Sequence, residues 1–200
     1  MLPEILQRVH DHGFKVFDSD SDFDLNIVAL RNPIGRTNKF DDLLFCVFKV
    51  DGQWIVNKYK VTTDPGHYWL HNPSRVEGTA ILKHPQQCRS VYKLDLHRGK
   101  YLALCQRNGK VTVWRDSNRD SYHDFDVDEQ RGYFGINIHR ASKHRITENV
   151  DRYSAGCTVF ADPEEFAVFI EACKMQVEHN GWKTFTYTIL LGRIDDFDQE

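Results

Sequence analysis

The sequence predicts a mainly β fold, and three features of the residue pattern support this prediction. Short runs rich in Val, Ile, Phe and Tyr recur along much of the chain, bounded by Gly, Pro, Asn and Asp. Two pairs of these runs flank dipeptides that favour tight hairpin turns. Helical apolar spacing is clear in two segments only. Because no internal repeat or low-complexity linker divides the chain, one β-dominated domain is expected.

The two hairpin signals lie at residues 43–61 and 101–114. In the first, two β-rich runs are separated by Asp51-Gly52, which supplies the positive φ angles of a tight turn. In the second, Tyr101–Gln106 and Val111–Trp114 flank Asn108-Gly109. Each segment is therefore predicted to form an antiparallel hairpin. Further strands are predicted at residues 80–82, 90–96, 135–139 and 184–191.

Two helices are predicted, a short one near the N-terminus and a longer one late in the chain. The short helix spans Pro3 to Gly13, where Gly13 can take the left-handed conformation that ends a helix. The longer helix has Asp162 as N-cap and Pro163 at its first position, and Glu165 has the spacing of a capping box. Its apolar stripe, which Asn180-Gly181 ends, consists of Phe166, Phe169, Ile170, Cys173 and Val177. The acidic residues 195–200 are predicted to form a frayed tail.

Composition excludes several classes of function. The 26 Lys and Arg against 29 Asp and Glu give a net charge of −3, with no basic stripe that would favour nucleic acid as a partner. The five cysteines form an odd number without a Cys-x-x-Cys pair, which predicts reduced thiols. No apolar run approaches the roughly 20 residues of a membrane span. Charged residues within residues 1–17 argue against a signal peptide, so synthesis in the cytoplasm is expected.

The segment from Gly132 to Phe160 has the features of a nucleophilic site. A predicted strand delivers His139, and a turn of small residues, Ser154 to Cys157, precedes the long helix. A nearby imidazole or helix start can lower the pKa of a thiol from its usual value of about 8.5. We therefore expect Cys157 to be a nucleophile and His139 its base.

This stretch resembles the active-site signature of the L,D-transpeptidase family. His139 is followed by fourteen residues and then by Ser154, Ala155, Gly156 and Cys157, which matches the family's spacing of a His, a Ser or Thr, usually a second His, and Gly-Cys. The resemblance implies an L,D-transpeptidase-like β-sandwich, with a helix after the Cys. It also implies a catalytic domain of residues 43–200, on which residues 1–42 pack as an N-terminal extension.

The resemblance further implies a cysteine acyl-transfer enzyme that acts on peptidoglycan stem peptides without a cofactor. Backbone N–H groups near Gly156 and Cys157 would stabilise the oxyanion, and Ser154 would hold the turn. Tyr153, Arg140 and Ala155 are candidate substrate-binding residues.

The sequence departs from the family pattern at two positions. Ala155 replaces the family's second His, and Val159 replaces its usual Arg or Asn. Arg140, next to the base, cannot accept a proton from the His139 ring, so we expect a backbone carbonyl to orient that ring.

Hydrolysis of stem peptides is favoured over cross-linking, because a lytic enzyme without a signal peptide can still reach the wall after its release. Three alternatives remain. The first is cross-link formation by the same thioester chemistry. The second is a non-catalytic phage structural or binding module on the same fold, with Cys157 buried. The third is a zinc site, which has the weakest support because its four candidate ligands are not expected on one helix face. These ligands are His67, His71, His84 and Cys88. The Asp-rich residues 18–24 lack the Gly and Glu of a calcium loop.

Overall fold

A computed structural model describes residues 1–193 and Phe197 of the chain. The prediction of a mainly β protein is confirmed. The helices are α1 (Glu4–Asp11), α2 (His67–His71) and α3 (Pro163–Asn180). The strands are β1 (Asn26–Arg31), β2 (Asp42–Val50), β3 (Gln53–Thr62), β4 (Thr79–Leu82), β5 (Gln86–His97), β6 (Tyr101–Gln106), β7 (Val111–Asp116), β8 (Glu129–Gly132), β9 (Ile138–Arg140), β10 (Thr158–Phe160) and β11 (Phe185–Leu191).

Eight of these strands close into a barrel, and the other three form a small separate sheet. The barrel order is β1, β11, β5, β6, β9, β10, β3, β2, and the small sheet has the order β4, β7, β8. Two neighbouring pairs in the barrel are parallel, namely β1 with β11 and β9 with β10. None of the described helices is long and apolar enough to cross a bilayer.

The first predicted hairpin is confirmed. Strands β2 and β3 pair from Asp42 opposite Val61 to Val50 opposite Gln53. Asp51 and Gly52 have φ angles of +50° and +75°, which match the right-handed twist of the flanking strands. The local turn signal and the alternation of the flanking residues therefore point to the same pairing.

The second predicted hairpin is wrong, although both of its strands exist. Strand β6 pairs with β5 and β9 in the barrel, whereas β7 pairs with β4 and β8 in the small sheet. Asn108 does not form a hairpin turn between β6 and β7. Its N–H donates to the Val91 carbonyl (2.9 Å) and its side-chain amide donates to the Ser90 carbonyl (2.9 Å), so it is held against β5. Asn108-Gly109 thus anchors a crossing from one sheet to the other.

The N-terminal 42 residues contribute a strand, β1, to the barrel itself. Strand β1 lies between β11 and β2, so the sheet has no break at residue 42. One face of β1 carries Ile27 and Ala29 into the main core, and the other carries Val28 and Leu30 into a second apolar cluster. Helix α1 contributes Ile5, Leu6 and Val9 to this second cluster.

The long helix follows its predicted signals closely. The Asp162 carboxylate accepts a hydrogen bond from the Glu164 N–H (2.7 Å), and Gly181 ends the helix with a φ of +71°. Glu165 does not complete a capping box, because it accepts a bond from the Lys60 N–H instead. The apolar stripe enters the main core.

The last predicted strand is confirmed as β11. The predicted frayed tail lies outside the described residues except for Phe197, whose ring centroid is 5.0 Å from that of Phe45.

Candidate active site

The short parallel pair β9–β10 brings Cys157 and His139 to the same face. Thr158 lies opposite Ile138 and Val159 opposite His139, so Cys157 is level with Asn137. His139 is two positions further along, which is about 7 Å in the strand direction. Positions two apart on a strand face the same side. The predicted strand at residues 135–139 is shorter than expected, and His139 lies in the middle of β9 rather than at its end.

Both residues line one groove of about 370 Å³. Its polar and titratable lining residues are His97, Arg98, Arg107, Asn137, His139 and Cys157. Phe134, Ile136, Tyr153 and Ala155 give it an apolar floor and walls. The two predicted catalytic residues therefore share a cavity with room for part of a peptide.

The His139 ring is oriented by a backbone carbonyl, as predicted from the presence of Arg140. Its Nδ1 lies 2.9 Å from the Arg140 carbonyl oxygen, which can only accept a hydrogen bond. In the neutral ring the proton is therefore on Nδ1, and Nε2 keeps its lone pair. Tyr101 donates a hydrogen bond to the same carbonyl (3.2 Å). Burial lowers the pKa of His139 to about 3, and His97 adds to this effect. His139 thus has the protonation state of a general base.

The environment of Cys157 overturns one expectation, that the pKa of its thiol is lowered. Desolvation raises this pKa to about 11, although the Asn137 N–H and the charge of Arg98 act in the opposite direction. The thiol donates to the Gly135 carbonyl (3.5 Å) and accepts from the Asn137 N–H (3.4 Å). Across the described residues no hydrogen bond joins Sγ to His139. The resting pair is a neutral thiol and a neutral imidazole.

The turn before Cys157 is held as predicted for Ser154. The buried Ser154 hydroxyl donates to the Cys157 carbonyl (2.8 Å) and accepts from the Gly156 N–H (3.1 Å). Gly156 has a φ of +112°, and a Cβ there would lie 2.1 Å from the Ala80 carbonyl oxygen in β4. Only glycine fits this close approach.

Of the two N–H groups predicted for the oxyanion, one is already used, because the Gly156 N–H bonds to Ser154. The Cys157 N–H has no hydrogen-bond partner within residues 1–193 and 197. It is therefore the donor of this turn that is available to an oxyanion.

The three candidate substrate-binding residues divide into two groups. Tyr153 and Ala155 line the groove. The Arg140 guanidinium instead stacks on the Tyr101 ring, 3.9 Å from its centroid, and lies 5.7 Å from the centroid of Phe166. Arg140 therefore contributes its carbonyl to the site, and its side chain is not part of the groove.

The sequence reasoning missed His97 and Asn137. The His97 ring stacks on His139 with centroids 4.1 Å apart and an angle of 26° between the planes. Asn137 Oδ1 accepts from the Gln106 N–H (2.9 Å), so its Nδ2 donates to Nδ1 of His97 (3.1 Å). His97 therefore carries its proton on Nε2, the opposite tautomer to His139. The signal that could have identified His97 is its position directly after the strand predicted at residues 90–96.

The four candidate zinc ligands do not come together. His67 and His71 lie on the same short helix α2, contrary to the expectation, and their ring centroids are 6.4 Å apart. His84 contacts Arg31, and Cys88 lies in the main core. No group of three or more metal-binding side chains, including those of residues 18–24, occurs in the described part of the chain.

No protein-family model, curated protein or solved structure matches this chain. The family resemblance therefore rests on the residues around His139 and Cys157 themselves.

Proposed function

We propose that the protein is a cysteine acyl-transfer enzyme of the L,D-transpeptidase type, with Cys157 as nucleophile and His139 as general base. The observation that carries the proposal is that both residues line one groove, with His139 held so that its unprotonated nitrogen is Nε2. The family spacing between the two residues and the helix that follows the Cys support the same assignment. The β-sandwich that the resemblance implies stays part of this proposal.

The chemistry starts from neutral groups. When substrate enters, the Cys157 thiol turns from the Gly135 carbonyl towards His139, and Nε2 takes its proton as sulfur attacks the acyl carbon. The Cys157 N–H donates to the oxyanion that forms. Collapse breaks the C–N bond, and the leaving amine takes the proton from His139. The product of this step is a thioester on Cys157.

We propose water as the acceptor that resolves the thioester. His139, neutral again, takes a proton from the water as the water oxygen attacks the thioester carbon, and the Cys157 thiolate then leaves and takes this proton from His139. The substrate class, a peptidoglycan stem peptide, comes from the family resemblance. An amine acceptor at the same step would give a cross-link.

Digestion of defined muropeptides tests this proposal. We expect the purified protein to release a shortened stem peptide, detected by mass spectrometry, and Cys157→Ala to release none. Cys88→Ala is the matched control, because that thiol lies in the barrel core away from the groove. Cross-linked products alone would replace hydrolysis by transpeptidation. No product beyond the Cys157→Ala level would refute the enzymatic proposal.

A non-catalytic binding module is the second candidate, because the Cys157 thiol has a raised pKa and donates its hydrogen bond to the Gly135 carbonyl rather than to His139. The module would bind the same muropeptides without turnover. Equilibrium binding to wild-type protein, with substrate recovered unchanged, would favour this candidate.

A further inference from the structure

One side of the groove is positively charged, although the chain has a net charge of −3. Arg98 and Arg107 line it together with His97. Among the described residues that line this groove there is no Asp or Glu. A cleft lined by one sign of charge raises the local concentration of the opposite ion. The groove therefore favours anionic ligands because of the arginines that line it, although the net charge of the whole chain is negative.

Arg98 is the cation that is available to a ligand. The Arg107 guanidinium is already paired with Asp95, with 2.7 Å between Nε and Oδ2. Arg98 has no ion-pair or hydrogen-bond partner in the part of the chain that the structure describes. Burial of the two imidazoles is the main cause of the lowered pKa values of His97 and His139, and the charge of Arg98 lowers both further. It is therefore within electrostatic reach of the candidate base.

The backbone at Arg98 is in a conformation that its side chain does not favour. Its φ is +50° and that of Gly99 is +69°, in the turn between β5 and β6. Such positions usually hold Gly, Asn or Asp, because a Cβ with a long side chain is costly there. Arg119 shares this conformation with a φ of +63°, so the case for a ligand at Arg98 comes from its place in the groove.

His97 adds a neutral hydrogen-bond donor beside this cation. Its proton is on Nε2, because Nδ1 accepts from Asn137. Nε2 has no hydrogen-bond partner in the described chain, and it is not among the buried polar atoms that are sealed from solvent. It is thus open to a ligand in the groove.

We propose that His97 and Arg98 form a carboxylate subsite for the residue that leaves when the thioester forms. One carboxylate oxygen would accept from His97 Nε2, and the other would face the Arg98 guanidinium. The amine that takes its proton from His139 lies about 2.5 Å from the carboxyl carbon of the same residue. The stacking of His97 on His139 places an anion subsite next to that proton donor. The ligand class is a peptide that ends in a free α-carboxylate one residue after the bond that is cut.

This inference rests on the proposed function and specifies it as a carboxypeptidase rather than an endopeptidase. The anion subsite itself can be tested without turnover, by alkylating Cys157 with iodoacetate and with iodoacetamide. The two reagents are similar in size and differ in charge. Mass spectrometry gives the two rates at Cys157, and the urea-unfolded chain gives the reference ratio.

We expect the folded protein to favour iodoacetate about fivefold more than the unfolded chain does, the effect of one unit charge a few ångströms away in a wet groove. Arg98→Gln should bring the ratio back to the unfolded value, and 1 M salt should reduce it. Arg89→Gln, an exposed arginine of β5 that does not line the groove, is the matched control. A folded ratio at or below the unfolded one, or an Arg98→Gln ratio equal to wild type, overturns the subsite.

The ligand class is tested with a stem tetrapeptide that carries either a free C-terminal carboxylate or a C-terminal amide. We expect wild type to prefer the acid by about tenfold in kcat/KM, in line with a charge-assisted hydrogen bond. Arg98→Gln should remove this preference through KM for the acid, with little change for the amide. Equal turnover of both peptides by wild type overturns the ligand assignment. If neither peptide is turned over while the iodoacetate preference holds, the proposed function fails and the anion subsite stands.

Discussion

Alkylation of Cys157 should become fast only near pH 11, and this dependence separates general-base chemistry from a preformed thiolate–imidazolium pair. The structure gives a thiol with a pKa of about 11 beside an imidazole with a pKa of about 3. Between pH 5 and pH 9 both groups are therefore neutral. A preformed pair would need the opposite order of the two pKa values.

The magnitude follows from the fraction of thiolate. At pH 7.5 a pKa of about 11 leaves about 3 thiolates in 10,000, whereas an unfolded cysteine of pKa about 8.5 has roughly one in ten. The higher intrinsic reactivity of a more basic thiolate recovers about tenfold of this 300-fold difference. Cys157 in the folded protein should thus react with iodoacetamide about 30-fold more slowly than in the urea-unfolded chain.

His139→Gln should separate the two roles of the imidazole. Because His139 is neutral, its replacement should move the alkylation midpoint by less than about half a pH unit, which is the scale of a change in local polarity. Turnover should fall by about 100-fold or more, as expected for loss of a general base. Wild-type turnover should be flat from pH 5 to pH 9, since the base loses its lone pair only near pH 3 and the thiol ionises only near pH 11.

Initial rates of alkylation from pH 6 to 11, measured by mass spectrometry, test this reasoning. An alkylation plateau that begins below pH 8 would refute it. So would a midpoint that rises by more than one unit in His139→Gln, because both results require a charged imidazole that stabilises the thiolate.

Three further predictions concern the stability of the site, measured by urea denaturation. Gly156→Ala should lower the free energy of unfolding by about 3 kcal/mol or more, because its Cβ would meet the Ala80 carbonyl. Gly181→Ala is the control and should lower it by only about 1 kcal/mol, because Gly181 has a positive φ but open space around it. Ser154→Ala should cost about 1–3 kcal/mol, since it leaves a buried N–H and a carbonyl of the turn without their partner. Asp162→Ala should cost about 1 kcal/mol through the lost N-cap and leave the kcat of the folded protein unchanged. Equal costs at the two glycines, or a neutral effect at either of the other two positions, would contradict these accounts.

The elements that the sequence predicted are those with local signals. The Asp51-Gly52 hairpin and the helix that starts after Asp162 each depend on residues close together in the chain. Strand β1 was missed because both of its faces are buried, so its residues show no alternation. The choice of partner for β7 was wrong because a turn dipeptide does not specify which sheet the next strand joins.

In the candidate site, too, the features that were predicted are those with local signals, and the features that were missed depend on strand pairing and packing. The positions of Cys157 and His139 followed from spacing, and the carbonyl that orients His139 followed from the chemistry of its neighbour. The stacking of His97 depends on the pairing of β5 with β6, and then of β6 with β9, which no local pattern indicates. The direction of the thiol pKa was wrong because desolvation is a property of the packed structure.

The proposed nucleophile and the proposed base are each held by contacts from several elements. The turn of Cys157 is fixed from the side of the small sheet, where Gly156 packs against the carbonyl of Ala80, and from the start of α2, where the Gly66 N–H bonds to the Ser154 carbonyl (3.0 Å). His139 is fixed from the barrel, by its own strand and the face of His97.

The small sheet is also tied to the barrel by side chains, because the Arg31 guanidinium donates to the Leu82 carbonyl (2.8 Å) and the Gln106 side-chain amide donates to the Gly132 carbonyl (2.9 Å). In the resting state the Cys157 thiol is hydrogen-bonded to the Gly135 carbonyl and not to His139, so in the proposed mechanism rotation of the Cys157 side chain is the step that brings the two groups into contact.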